Sequence, residues 1–399
     1  MSHSIRRTGL FVASCAGMSA FGFALVLLGT LLGFPEVRTR LEVDSLTKQG
    51  GLSSVLILGM FVSTSIVGPL IDRFGNKVVL SVSAFLLSIA FICFAVVNSF
   101  PLAVFSAVLL GIAGGGLNTS TNVVVSELYP ENRGAMLNVL AIFFGTGAVT
   151  VPLLAARVSP TTAILVAAFY ATIVGMVYLL MSFPDAKDAH CFSLREAVKV
   201  VGYPGVLLFS SLLFFQSANE QVTHTFASRW VGAAGASPRT ATLALVGYMA
   251  AMAGGRIIAV RLLKIIRKEI LVMCCAGIAL SGTVLMFLSA SPVLISLGIL
   301  VTALGFSAIF PTVLAIAGDR YQRFAGTVFG TLFAISLIGA FASPSIAGFV
   351  GQKTGIHMGT VVPLCGAVMV VLLTSVVVRQ RHSADEKTGQ PLTNSAAGK

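Results

Sequence analysis

The sequence predicts an all-α membrane protein with twelve transmembrane helices arranged as two six-helix halves. Three observations carry that expectation: an apolar excess, twelve apolar runs of spanning length, and a repeat that puts the same residues in matching spans. Of the 399 residues, 56% belong to the hydrophobic set and 40 more are glycine, whereas Lys, Arg, Asp and Glu together make up 10%. Ordinary globular chains carry about 25% charged residues, and so few charges cannot cover a soluble surface of this size. A soluble enzyme, a disordered chain and a secreted disulfide scaffold are thereby excluded.

Stretches apolar enough to cross about 30 Å of hydrocarbon run Leu10–Leu32, Leu52–Ile71, Val78–Val97, Leu102–Ser126, Met136–Ala155 and Thr162–Met181 in the first half of the chain. The second half supplies Val206–Ser228, Thr242–Leu263, Ile270–Leu288, Val293–Ala317, Thr327–Val350 and Met358–Val378. Lipid offers the backbone no partners, so runs of this length close their own hydrogen bonds as helices. The first run lacks a small-residue cleavage site and is expected to remain as a span.

A net charge of +12 would fit a nucleic-acid binder, but no basic cluster interleaved with aromatics is present. The basic residues fall in ones and twos between apolar runs. With the N-terminus inside, 18 of the 26 Lys and Arg lie on the cytoplasmic side, seven lie outside, and Arg256 falls within the eighth span. The positive-inside bias therefore predicts cytoplasmic termini in a plasma-membrane protein. The six cysteines show no metal or redox spacing, so no metal, cofactor or disulfide framework is expected.

The polar stretch Pro184–Tyr203 separates the spans six and six. It divides the chain into an N-terminal half (1–183), a cytoplasmic linker (184–203), a C-terminal half (204–379) and a tail (380–399) expected to be disordered. In the linker, Ser193 followed by Glu196 reads as the start of a short surface helix. At a constant offset of 192, Glu127 aligns with Asp319, Tyr129 with Tyr321, Gly134 with Gly326, Gly147-Ala148 with Gly339-Ala340, and Pro152 with Pro344. Two such halves about an axis along the membrane normal make a transporter plan.

Between the second and third spans lies Gly68-Pro-Leu-Ile-Asp72-Arg73-Phe-Gly75-Asn-Lys77. Gly68 permits close helix approach and Gly75 a tight turn. Asp72 and Arg73 offer charges that can pair across the halves in one conformation only; a plain polar turn is the competing reading. The segment resembles the loop 2–3 signature of the major facilitator superfamily, Gly-x-x-x-Asp-Arg-x-Gly-x-Lys, at every fixed position. That resemblance implies a conformational gate made by Gly68, Asp72, Arg73, Gly75 and Lys77. The second-half counterpart, around Gly254-Gly255-Arg256 and Arg261, is degenerate. Gly114-Gly115-Gly116-Leu117-Asn118, Asn122, Tyr129–Gly134 and Ile309-Phe310-Pro311-Thr312 resemble the fucose–galactose–glucose:proton symporter branch.

Glu220 is the one carboxylate of 14 placed mid-span, and an intramembrane acid is a functional-site hypothesis by default. Gln216, Asn219, Glu220, Thr223 and His224 fall at helical spacing on one face, which predicts a wet cavity; a network between packed helices is the alternative. His224, one turn on, is a candidate proton partner for Glu220. On the fourth span Asn118, Thr121, Asn122 and Ser126 share a face whose donors and acceptors suit sugar hydroxyls, with interhelical hydrogen bonding as the other reading. Branch members often carry acids in the first and fourth spans and an aromatic one turn after the seventh-span acid. Here the first span has none, Asn118 stands in the fourth and His224 replaces the aromatic. Trp230, the single tryptophan, reads as an interface anchor.

The expectation is a monomeric secondary transporter, not an enzyme, moving a small polar solute, a sugar by preference, with protons. Glu220 and His224 would couple the proton, and Asn118, Asn122, Gln216 and Asn219 would bind solute. An exporter of amphipathic compounds on the same fold is the alternative, and a receptor-like scaffold the third. No Walker A loop, His-Glu-x-x-His or intramembrane protease motif is present.

Overall fold

The computed structural model describes residues 2–31, 34–43, 46–155, 157–183 and 199–388, and every regular element among them is helical. The first six spans are Ser2–Leu31, Leu46–Phe74, Asn76–Val96, Phe100–Leu128, Arg133–Ala155 and Pro160–Leu180. The next six are Pro204–Ala233, Pro238–Leu262, Lys268–Leu288, Pro292–Arg320, Ala325–Thr354 and Val361–Thr388. Eleven of these twelve are apolar enough along their length to cross a membrane. The seventh, at 30 residues, is long enough but carries the polar run between Gln216 and Thr225 that lowers its hydropathy. Cys191 and the helix expected from Ser193 lie outside the described residues.

Local chemistry sets the helix ends. Ser159 and Ser237 each accept the backbone N–H three residues on, from Thr162 at 3.1 Å and Thr240 at 3.2 Å, and each is followed by proline. A capping oxygen satisfies one orphan donor, and proline at the first helical position gives up an N–H that had no partner. A short helix, Pro35–Arg40, follows the first span, and its Arg40 donates to the carbonyls of Phe94 and Ala95 at 3.1 and 3.0 Å. Those carbonyls end the third span, where a cation complements the helix dipole. The last helix corrects the expected tail: it runs beyond Arg379 to Thr388, because no glycine or proline interrupts it before Gly389 and Pro391. Residues 389–399 lie outside the described residues.

The tenth span is broken. Pro292–Phe306 and Ile309–Arg320 are separate helices with a turn at Ser307–Ala308. Pro311 explains the break, since its ring has no N–H for the carbonyl four residues back and clashes with it. That carbonyl belongs to Ser307.

The repeat is visible in three dimensions. Asn76 donates to Glu127 at 3.1 Å, and the pair 192 residues on, Lys268 and Asp319, also meet. Gly147 packs on the Ser19 backbone of the first span, and its mate Gly339 packs on the Phe214 backbone of the seventh. The same offset maps Gly68–Asn76 onto Val260–Lys268. The degenerate counterpart of the loop motif is therefore centred on Lys264, and Gly254, Gly255 and Arg256 lie inside the eighth span.

Trp230 is not an interface anchor. It is 1% exposed, stacks on Phe226 with ring centroids 5.8 Å apart, and donates Nε1–H to the Ile356 carbonyl at 3.1 Å. It pins the 3₁₀ turn Ile356–Thr360 that precedes the last helix.

Candidate functional site

The halves meet at two seams, both on the side that carries the basic loops. At the first, the second and eleventh spans cross with Gly68 against the Gly326 backbone and Gly330 against the Thr64 carbonyl. A Cβ on Gly326 would lie 2.6 Å from the Gly68 carbonyl oxygen, so only glycine allows this approach. Asp72, buried here, accepts the Gly326 N–H at 3.1 Å, the Thr327 N–H at 2.8 Å and the Thr327 hydroxyl at 2.6 Å. One half thus caps a helix N-terminus of the other, with the negative charge on the favourable pole of the dipole.

At the second seam the fifth span meets the eighth and tenth. Arg133 is paired with Asp319 across the halves, and Asp319 also holds Lys268 of its own half. Asn138 donates to the Thr312 hydroxyl at 3.4 Å, and Gly134 faces Leu263. A cavity of about 590 Å³ lies at this end, bordered by Asp72, Asn76, Glu127 and Arg133. Further along the same two spans lies an apolar groove of about 190 Å³ between Ser54–Phe61 and Leu337–Phe341. The first and seventh spans, by contrast, do not pack on one another, so the halves join on the basic side and stand apart on the other.

The structure divides the gate motif. Gly68 and Asp72 make the seam, and Gly75 takes φ 81° at the turn into the third span. Arg73 instead is exposed, with its guanidinium over the Phe74 ring at 5.1 Å. Among the described residues no hydrogen bond or ion pair joins Lys77 to the other half. Asp72→Asn keeps the shape but loses the charge and one acceptor, a change worth about 1–3 kcal/mol at a buried acceptor. We expect it to raise the population opened on the basic side about tenfold. An unchanged labelling rate at a cysteine placed on the parted side would reduce Asp72 to a turn residue.

On the fourth span Asn118, Thr121, Asn122 and Ser126 are all buried. Ser126 approaches Gly318 of the tenth span, and Asn122 and Asn118 stand one and two turns above it on that face. Asn122 donates to the Asn118 carbonyl at 2.8 Å and to its Oδ1 at 3.2 Å. Thr121 turns aside toward Met18 of the first span. If Asn118 and Asn122 hold solute hydroxyls, Asn→Ala at either weakens affinity by about 1–3 kcal/mol; calorimetry showing wild-type affinity in both variants assigns them to helix packing.

On the seventh span the uncovered face is rotated from the one expected. The helix packs on the eighth, tenth, eleventh and twelfth spans, leaving one sector turned toward the first half. In that sector Glu220 is half-buried, while Gln221, His224 and Thr225 are exposed. Gln216, Asn219 and Thr223 are buried. Asn219 is a correction: it faces the twelfth span at Gly366, where a Cβ would lie 2.7 Å from its Nδ2. Gln216 is also turned inward, but it donates Nε2–H to Glu220 Oε2 at 2.8 Å and so orients the acid from behind. Polar residues cover more than one helix face here, and spacing alone does not choose among faces.

Two further residues join the site. Tyr248 of the eighth span donates its hydroxyl to the Glu220 carbonyl at 3.4 Å and stands with its ring 6.5 Å from that of His224. Arg256, two turns further along that span, donates Nη1–H to the Ala141 carbonyl of the fifth span at 3.0 Å and Nε–H to the Ser307 carbonyl at 3.3 Å. Its mid-span position was the signal for it, since a charge there is costly. Among the described residues no three His, Cys, Asp or Glu side chains converge as a metal site.

Two six-helix halves, sealed at one end and enclosing polar groups at mid-membrane, define a secondary transporter. The chain belongs to the Major Facilitator Superfamily, whose profile matches residues 8–228 and 209–397. It is 22% identical to the uncharacterized MFS-type transporter YfkL of Bacillus subtilis over 347 residues, which cover 82% of this chain and 87% of that one. The fold matches the FucP transporter in its outward conformation with a TM-score of 0.79 at 17% identity, over 92% of this chain and 98% of that one. It also matches the proton:xylose symporter XylE bound to 6-bromo-6-deoxy-D-glucose, with a TM-score of 0.76 at 14% identity, over 92% and 95% of the two chains.

Proposed function

We propose that this transporter moves a small polar solute, a sugar by preference, in symport with protons. The observation that carries this reading is Glu220: a mid-membrane carboxyl group on the uncovered polar sector of the seventh span, in a conformer sealed on one side only. In this reading the sealed, basic side is cytoplasmic, and both termini lie there. Residues 1–183 and 204–379 rock as rigid halves about the linker 184–203, in a monomer of the plasma membrane. Glu220 takes a proton from the parted side, with His224 at the cavity wall as its relay. Asn118 and Asn122 offer amides to solute hydroxyls from the first half. Likeness in fold to a proton:xylose symporter supports a sugar.

A second reading, export of an amphipathic compound, draws support from the apolar groove between the second and eleventh spans. Direction separates the two. In proteoliposomes with an acidic exterior, the symporter accumulates a labelled monosaccharide; efflux of a dye with no sugar movement favours the exporter. A thermal-shift panel of monosaccharides identifies the solute, because a binder at 100 times its dissociation constant stabilises the fold by about 2.7 kcal/mol.

A further inference from the structure

Arg256 is a half-buried guanidinium inside the eighth span, without a carboxylate at its side. Among the described residues none lies within 4 Å of it, and its protein acceptors are two backbone carbonyls. Each carbonyl has its own origin. That of Ser307 is released from the tenth span by Pro311, and Gly255 lets the eighth span come close enough to reach it, since a Cβ there would lie 2.8 Å from the Ser307 Cβ. That of Ala141 belongs to the other half. These bonds use Nε and one hydrogen of Nη1. Among the described residues Nη2 has no protein acceptor, and it is not enclosed.

Glu220, half-buried on the neighbouring seventh span, lies close enough to interact with it. Side chains lean toward the N-terminus of their own helix, and the seventh and eighth spans run antiparallel. Arg256 therefore leans toward the parted side, and Glu220 toward the sealed side. The two act on one another electrostatically, as do Glu220 and Tyr248. The charged or titratable groups around Arg256 are thus Glu220, with His224 beyond it, on the seventh span and Tyr248 on its own. The fifth and tenth spans meet it with carbonyls alone.

We propose that Arg256 is an anion-recognition site between the halves, and that the transported solute carries a carboxylate: a sugar acid rather than a neutral sugar. This rests on the symport reading above. A guanidinium with its fork half engaged is shaped for a carboxylate. While Glu220 is ionised, its charge opposes a second anion beside Arg256. Once Glu220 is protonated, the site carries a net positive charge, so the proton and the solute anion bind together. A carboxylate that draws the guanidinium toward itself also loosens the Ala141 bond, which joins the halves. Binding there thereby weakens one seam of the closed side.

The test measures affinity of the purified full-length chain for two matched pairs, galactose with galacturonate and glucose with glucuronate. The acid of at least one pair is expected to bind about ten- to hundredfold more tightly than its neutral partner. Arg256→Gln should erase that preference, Arg256→Lys should keep part of it, and Glu220→Gln, fixed in the neutral state, should keep it whole. Equal affinity for acid and neutral sugar in the wild type overturns the inference without needing any variant to fold, and leaves the sugar reading standing. So does a preference that survives in Arg256→Gln. Binding of none of the four sugars overturns the sugar reading and the inference with it.

Discussion

Glu220→Gln is expected to keep solute binding and counterflow exchange and to lose accumulation driven by a pH gradient altogether. The amide oxygen can still accept the hydrogen bond that Gln216 donates at 2.8 Å, so the side chain stays where it is. What disappears is the exchange between charged and neutral forms. A carboxyl group loaded from one side and unloaded to the other ties solute movement to the proton gradient, and an amide cannot. Glu220→Ala should weaken binding as well, because Gln216 then loses its partner in a buried setting. Uphill accumulation by Glu220→Gln with the wild-type pH dependence would falsify the coupling role. Facilitated diffusion or another coupling ion would then replace it.

Gly326→Leu is expected to abolish the conformer described here. A Cβ at 326 would sit 2.6 Å from the Gly68 carbonyl oxygen and 2.7 Å from the Asp72 carboxylate, and a backbone oxygen cannot swing away as a side-chain tip can. The halves must part along the whole second–eleventh seam, which also removes the three hydrogen bonds to Asp72. Overpacking alone costs about 1–3 kcal/mol, and with the lost cap the closed population should fall about a hundredfold. Two cysteines, at Thr225 on the parted side and Asn76 on the basic side, report it in a background freed of native cysteines. The first should label more slowly and the second faster. Labelling at wild-type rates, with transport intact, would show that the seam accommodates bulk and that its glycines are incidental.

How much of this was legible in the sequence depends on how local each signal is. The span count rests on runs of some twenty residues and survives intact, apart from the last helix, whose polar extension carries no apolar period to betray it. The fourth-span face was readable because Asn118, Asn122 and Ser126 repeat every four residues. On the seventh span polar residues crowd Gln216–Thr225 around more than half the helix. Spacing groups them, but only packing on the twelfth span shows that Asn219 faces protein while His224 stays exposed. Asp72 was legible through its loop motif. Its partner, a helix N-terminus 254 residues away, is a product of how the halves dock. Arg256 was visible as a charge, but its role needs the carbonyl that Pro311 frees on another helix.

The two seams are unlike in their exposure to solvent. Asp72 is enclosed, and its bonds end on two backbone amides and a hydroxyl; Asp319, 39% exposed, rests between two cations at the water boundary. Dissolved ions screen exposed pairs over about 8 Å at physiological ionic strength and reach enclosed ones far less. Rising salt therefore loosens the fifth–tenth side first, while the second–eleventh side still holds. Opening then proceeds as a door does, swinging on its hinged edge, with the glycine crossing as the hinge and the Arg133–Asp319 pair as the handle.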